Sequence, residues 1–261
     1  YMSDLGGYVL GGQIVPTRYP SAFVDNLLGW EKTDQYNVGM DLSFLRNRIT
    51  LSANYYNSTS NDLLFNKPVS AIAGATQYKS NLSNAKIRNT GFDIQVDGRI
   101  LTGVINWNIG ANLSLNRNKV LSLPDSQSIV SIGERSAISH ITMVGKPIGS
   151  FYGLNSLGVI SEEEYQRILV DKQHIGEEGY QLTGPAVWNY ENVQPGDAKW
   201  KDVNNDGKIT DDDREILGDN YPDFTYGFST NISYKGLSLS ASFSGVQGAQ
   251  VISFQNYYLL N

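Results

Sequence analysis

The chain has 261 residues, a formal net charge of −6 and no cysteine. The acidic balance argues against a nucleic-acid partner, and the missing thiols exclude cysteine nucleophiles, cysteine-based zinc sites and disulfide frameworks. No apolar run approaches the roughly 20 residues of a transmembrane helix, a test to which a membrane β-barrel is blind because its strands alternate.

In chain order, Tyr1–Gly12 lacks the basic start and apolar core of a signal peptide, so an exported protein would carry this chain as a fragment. The first predicted hairpin covers 36–56. Tyr36, Val38, Met40, Leu42 and Phe44 point one way, and Asn37, Gly39, Asp41 and Ser43 the other. A tight turn at Arg46-Asn47 leads to Ile49, Leu51, Ala53 and Tyr55, again at alternate positions. A long loop over 57–90 follows. The second hairpin covers 91–116. Phe92, Ile94 and Val96 turn near Leu101–Gly103 into Ile105, Trp107, Ile109, Ala111, Leu113 and Leu115, interleaved with Asn, Ser and Gly.

A very long loop spans 117–223. Within it, Ser161 followed by Glu164 forms a capping-box pattern and predicts a short helix over roughly Glu162–Val170. Trp188, Tyr190 and Trp200 offer faces on which sugar rings can stack, or the packing of a small loop core. Residues Asp202–Asp213, DVNNDGKITDDD, have the pattern of a calcium loop. Asp202, Asn204, Asp206, Lys208 through its carbonyl, and Asp213 at the twelfth place are the candidate ligands, with Gly207 at the sharp turn. Asp211 and Asp212 are expected to face solvent. The other reading is an Asx-rich turn without metal. His140 and His174 stand far apart, and no catalytic triad, phosphate loop or histidine pair is present, so no enzyme is expected.

The third hairpin covers 224–244. Phe224, Tyr226, Phe228, Ile232 and Tyr234 alternate with polar residues, Lys235-Gly236 turns the chain, and Leu237, Leu239, Ala241 and Phe243 alternate with serines. Period-two patterning means strands with one apolar and one polar face. A soluble sheet on a core satisfies it, and so does a membrane barrel. The strands run about 9–11 residues, the length that crosses a bilayer when tilted. Tight turns alternate strictly with long loops, as outer-membrane barrels alternate periplasmic turns with extracellular loops. Tyr55, Tyr56, Phe224 and Tyr226 lie at one end of the strands, and Phe44 and Tyr234 at the other, as in interfacial girdles. Six strands fall short of the roughly 8 that the smallest membrane barrels need, so part of a larger barrel is expected.

Several segments, in order, carry a resemblance to one family. Leu28–Asp41, LGWEKTDQYNVGMD, resembles a W-E-K-T-x-Q-x-N-x-G-x-D entry to a barrel strand, and Arg48–Tyr56 with Asp62-Leu63-Leu64 resembles the next strand and its loop. Asn89–Asp93 resembles an N-x-G-x-E entry, with Asp for Glu. Val144–Gly153, VGKPIGSFYG, Pro195–Gly218, PGDAKWKDVNNDGKITDDDREILG, and Pro222–Phe228 complete the set. Together they resemble the SusC/RagA family of TonB-dependent outer-membrane transporters. The resemblance implies an all-β, antiparallel transmembrane barrel of about 22 strands around an N-terminal plug. It implies import of glycans or peptides driven by TonB, and a SusD-like surface lipoprotein as partner. Residues 1–261 then form a mid-to-late barrel segment, without plug, TonB box or closing strands. The alternative is a secreted, calcium-dependent β-sandwich module for binding or adhesion.

Overall fold

The computed structural model describes residues 2–20, 22–68, 70, 72, 75, 77–124, 128–132, 139–175, 177 and 179–253. The remaining parts of the two long predicted loops, at 69, 71, 73, 74, 76, 125–127, 133–138, 176 and 178, lie outside the described residues. The chain forms two compact units. One comprises Tyr1–Ser128, Met143–Ile148 and Tyr221–Ala249, and the other Ile129–Thr142, Gly149–Asn220 and Gln250–Asn261.

In the first unit, β1 (Met2–Leu10) and β2 (Gln13–Pro20) pair with each other, and β3 (Phe23–Val24) is a short parallel strand. The main sheet is built from β4 (Lys32–Phe44), β5 (Ile49–Pro68), β6 (Gln77–Leu101), β7 (Ile105–Ser122), β14 (Phe224–Tyr234) and β15 (Leu237–Gln247). Its order is β15-β14-β7-β6-β5-β4, with every neighbour in this path antiparallel. Six-strand rows follow from the register. Leu42, Leu51, Val96, Ala111, Phe228 and Phe243 lie side by side, and the adjacent row reads Asp41, Ser52, Gln95, Asn112, Gly227 and Ser244. One face is therefore apolar from edge to edge and the other polar. The apolar face is open: Val38 is 70% and Leu239 66% exposed. A one-residue slip in any strand would break every row at once, which is what pins the register.

The turns obey their residues. Lys235 and Gly236 both have positive φ, 45° and 86°, the two-residue turn whose twist matches the strands it joins. Asn106 closes the second turn by accepting from the Gly103 amide and donating to its carbonyl, each at 3.2 Å.

Several predicted boundaries move. The loop assigned to 57–90 is mostly strand: pairing runs on from Asn57 opposite Thr90 to Pro68 opposite Gln77, with a bulge at Asn61/Leu63. β4 likewise starts at Lys32 and β7 continues to Ser122. The physical reason is that alternation is visible only where one face meets an apolar medium. Beyond it polar residues predominate and the apolar ones, such as Leu82, Ala85 and Ile87, no longer alternate regularly, while backbone ladders with pairs such as Thr33–Ser60 (2.9 Å) continue the strands.

The second unit shows that much of 117–223 is folded. β8 (Ile129–Ile132), β9 (Ser139–Thr142), β10 (Ser150–Gly153) and β13 (Glu215–Gly218) form a sheet in the order β13-β10-β9-β8, and β11 (Ser156–Val159) pairs with β12 (Ala198–Trp200). Helix α1 (Glu162–His174) starts on the expected capping box: the Ser161 hydroxyl accepts from the Glu164 amide and the Glu164 carboxylate from the Ser161 amide. The helix runs four residues past the predicted end, because Asp171 in its last turn is anchored by residues 180–184. Its buried side packs Ile168 with Ile160 and Val187, flanked by Tyr165, Tyr190 and Val193.

Candidate functional site

The acidic loop and the aromatic residues predicted as sites all fall in the second unit. The loop leaves β12 at Lys201 and turns on itself through short bonds from backbone amides to side-chain oxygens. Asp202 Oδ2 accepts from the Gly207 amide at 2.8 Å, Asn204 Oδ1 from Asp206 at 2.9 Å, and Asp206 Oδ1 from Lys208 at 2.8 Å. Asn205 and Gly207 take left-handed backbone, which Asn and Gly tolerate best. Asp213, fully buried, accepts from the Val203 amide at 2.9 Å and the Thr210 amide at 2.7 Å, so one carboxylate ties the start of the loop to its end. The Thr210 amide, against the opposing effect of burial and with help from Val203 and Asn204, holds this carboxyl below its ordinary value.

The donor set meets the chemistry of a hard cation in part. Asp202 Oδ1 is buried and has no hydrogen-bond partner among the described residues, a costly arrangement that a bound cation would relieve. Asn204 and Asp206 are exposed within the same turn, with Lys208 beyond them. Each oxygen of Asp213 accepts one backbone amide, so in this structure the carboxylate joins the two ends of the loop. Among the described residues no three His, Cys, Asp or Glu side chains lie close enough to share a metal. Asp211 pairs with Arg214 at the surface, and Asp212 is exposed, as expected.

The loop also buttresses the aromatic residues. Lys208 bridges to Val187, and the Ile209 amide donates to the Val187 carbonyl at 3.2 Å, which places the backbone of Trp188. Tyr190 donates its hydroxyl to the Gly207 carbonyl at 2.9 Å and packs against the buried core, so it clamps the loop. Trp188 and Trp200 are brought together. They line a cavity of about 240 Å³ with Asn189, Asn192 and Asp197, and a larger one of about 690 Å³ with Phe151, Tyr152, Leu154 and Leu217. Asn189, Asn192 and Asp197 were missed in the sequence, where nothing separates them from other polar loop residues.

Ion pairs set the frame around this cleft. Lys199 of β12 meets Glu164 of α1 at 2.7 Å, and with the Ser161 amide it lowers the Glu164 carboxyl to about 2. Lys201 meets Glu215 at 2.8 Å, and Asn155 donates to the same carboxylate. The Lys201 hydrogen bond is the main cause that holds Glu215 below its ordinary value. His174 stacks on Tyr180 and His140 packs edge-on to Phe151, so both histidines are packing residues.

Comparison with known proteins gives one family. A model described as TonB dependent receptor-like, beta-barrel, matches residues 3–242. TonB-dependent receptor P3 of Formosa agariphila is 29% identical over 257 residues, covering 97% of this chain and 24% of that protein. TonB-dependent receptor P26 of the same organism is 31% identical over 237 residues, covering 88% and 22%. TonB-dependent receptor SusC of Bacteroides thetaiotaomicron is 26% identical over 247 residues, covering 92% and 22%. Among solved structures, that of the RagAB peptide transporter superposes with a TM-score of 0.66 at 22% identity, covering 94% of this chain and 23% of that one, a likeness of fold. The chain thus spans about a quarter of the length of the curated relatives it matches.

Proposed function

The chain belongs to the TonB dependent receptor-like β-barrel family, and from that premise we propose that it is a stretch of the barrel wall, with one large folded insertion, of a nutrient importer. Its place is the bacterial outer membrane. The observation that carries the reading is the open apolar face of the main sheet, matched row by row with a polar face. A lipid-facing band has this form, whereas a sandwich buries its apolar faces against a second sheet. The polar rows of Asn, Ser and Gly suit a hydrated lumen. The tight turns face the periplasm and the long connection over 117–223 is extracellular, where a SusD-like lipoprotein covers the barrel mouth. TonB supplies the energy, and the cargo is a glycan or a peptide.

The test uses the full-length protein in its own host. A tag at Gly236 and another at Glu177 should both be found in the outer-membrane fraction, with only the second labelled on intact cells. Growth on the imported nutrient should be lost when TonB is deleted. Surface labelling at Gly236, or recovery of the protein in the soluble fraction, refutes the proposal.

We further propose that Asp202, Asn204, Asp206 and the Lys208 carbonyl hold a calcium ion that stiffens the acidic loop. The buried, unpartnered Asp202 Oδ1 supports this reading. Extracellular calcium modules bind at about 10⁻⁴–10⁻³ M. Calorimetry of chelator-treated full-length protein should show binding in that range, weakened by Asp202→Asn. No heat from the wild type would remove the metal from the account.

A further inference from the structure

We infer that Trp188, Trp200, Asn189, Asn192 and Asp197 form a binding cleft for one ring of a neutral glycan. The inference rests on the importer reading and decides its cargo at one site.

Trp188 is the first observation. It is 60% exposed, yet it follows the buried Val187 and sits on a backbone bridged to Lys208. An indole that served only to pack the insertion would be turned inward, as Tyr190 is. This one is held out on a rigid frame. Trp200, on β12, borders the same cleft of about 240 Å³. That is below the roughly 300 Å³ at which sites for drug-sized ligands begin, and suits a single ring.

The second observation is unused hydrogen-bonding capacity around the indoles. Asn192 makes no side-chain hydrogen bond within the described residues. Asn189 uses only its oxygen, on the Glu191 amide at 2.8 Å, which leaves two N–H donors. Asp197 uses only Oδ2, on the Gln194 amide at 2.8 Å, which leaves Oδ1 as an acceptor. Planar amides and a carboxylate offer donors and acceptors together, and neighbouring ring hydroxyls require both. The axial and equatorial C–H groups of a pyranose present an apolar face to indole, so one ring satisfies both the aromatic and the polar parts of the cleft.

Charge narrows the class. Of the basic side chains around the cleft, Lys172 pairs with Glu191, Lys199 with Glu164, Lys201 with Glu215 and Arg214 with Asp211, and Lys208 is exposed outside its lining. Asp197 is the one charged group among the described residues that line the cleft, and no Lys or Arg is among them, so a uronate or sulfated sugar meets repulsion that no lining cation offsets. An acidic peptide meets the same obstacle.

The experiment is calorimetric titration of the full-length protein in detergent. The probes are maltohexaose, mannohexaose and xylohexaose, an oligoalginate, and a tryptic peptide digest. At least one neutral hexaose should bind. Trp188→Ala should weaken it by about tenfold or more, and Trp188→Phe should restore most of the loss. Asn192→Ala should weaken it by about three- to tenfold. Both side chains are exposed, so these variants keep the fold. Three results overturn the inference: no neutral hexaose binds the wild type, binding is indifferent to Trp188→Ala, or the oligoalginate or peptides bind with the Trp188 dependence instead. Outer-membrane fractionation and TonB-dependent growth of the same strains report on the importer reading separately.

Discussion

Replacing Asp171 by alanine should unfasten the second unit locally while leaving the barrel strands intact. Asp171 is 1% exposed and sits in the last turn of α1. It accepts from the Tyr180 hydroxyl at 2.9 Å, the Thr183 amide at 3.0 Å, the Thr183 hydroxyl at 2.9 Å and the Gly184 amide at 2.7 Å. Hydrogen bonds to a charged acceptor contribute about 1.5–3 kcal/mol each, but Tyr180 and Thr183 are exposed enough to turn their hydroxyls to water. The two amides bear most of the loss, which comes to about 3–5 kcal/mol for Asp171→Ala, with Asp171→Asn nearer 2 because one acceptor survives. The readout is hydrogen exchange of the full-length protein at residues 180–184. Exchange there should rise by two orders of magnitude or more, with the amides of β14 unchanged. The pH dependence has a definite sign. Burial opposes ionisation, but the hydrogen bonds outweigh it and hold the carboxyl below its ordinary value. The stabilisation is therefore fully present above the unfolded carboxyl's range and lost as pH falls through the lower folded value. Exchange protection should be flat from pH 5 to 8 and fail only in stronger acid. Protection unchanged by Asp171→Ala, or already lost at pH 6, would refute this reasoning.

Three further outcomes follow from the sheet. Met40→Arg, in the middle of the apolar band, should cost about 2–4 kcal/mol and lower the yield of heat-modifiable barrel on gels, whereas Asn37→Arg on the polar face should be tolerated. Gly91→Ala would put a Cβ 2.2 Å from the Tyr56 ring directly across the ladder, so the ring must swing away and give up its bond to Asn116; a loss of about 1 kcal/mol in urea unfolding is expected, and it should shrink in a Tyr56→Phe background. A Cβ at Gly236 meets no atom within 4 Å, so the cost of Gly236→Val is set by its positive φ, about 1–2 kcal/mol, visible as slower barrel assembly.

The three hairpins were readable in the sequence because a bilayer imposes a period. Val38, Tyr55, Phe92 and Leu115 stand in one row, and each is flanked by a polar residue. The same logic explains where the reading stopped. From Ser58 to Asn61 both faces are polar, and across the ladder Ser80–Asn89 carries only Leu82, Ala85 and Ile87 as apolar residues, at uneven spacing, so the backbone ladder leaves no period in the side chains and paired strand read as loop. Helix α1 shows the local counterpart. Its start is written in the Ser161–Glu164 capping box, while its end depends on Asp171 meeting Thr183 and Gly184, a contact made only when the chain returns.

The candidate site divides in the same way. The motif of the acidic loop could be read residue by residue, but its mechanical role could not. Trp200 precedes Asp202 by two residues, and Lys208 and Ile209 grip Val187 just before Trp188. The loop therefore fixes where the two indoles stand, and buried Asp213 joins its two ends. Tyr190, equally aromatic and only two residues from Trp188, is spent on holding that loop through Gly207. Which of the three aromatic residues is left exposed is thus decided by backbone contacts that no spacing rule encodes. A cation bound at Asp202 would act on the cleft through this same frame, so the loop and the tryptophans are best treated as one device.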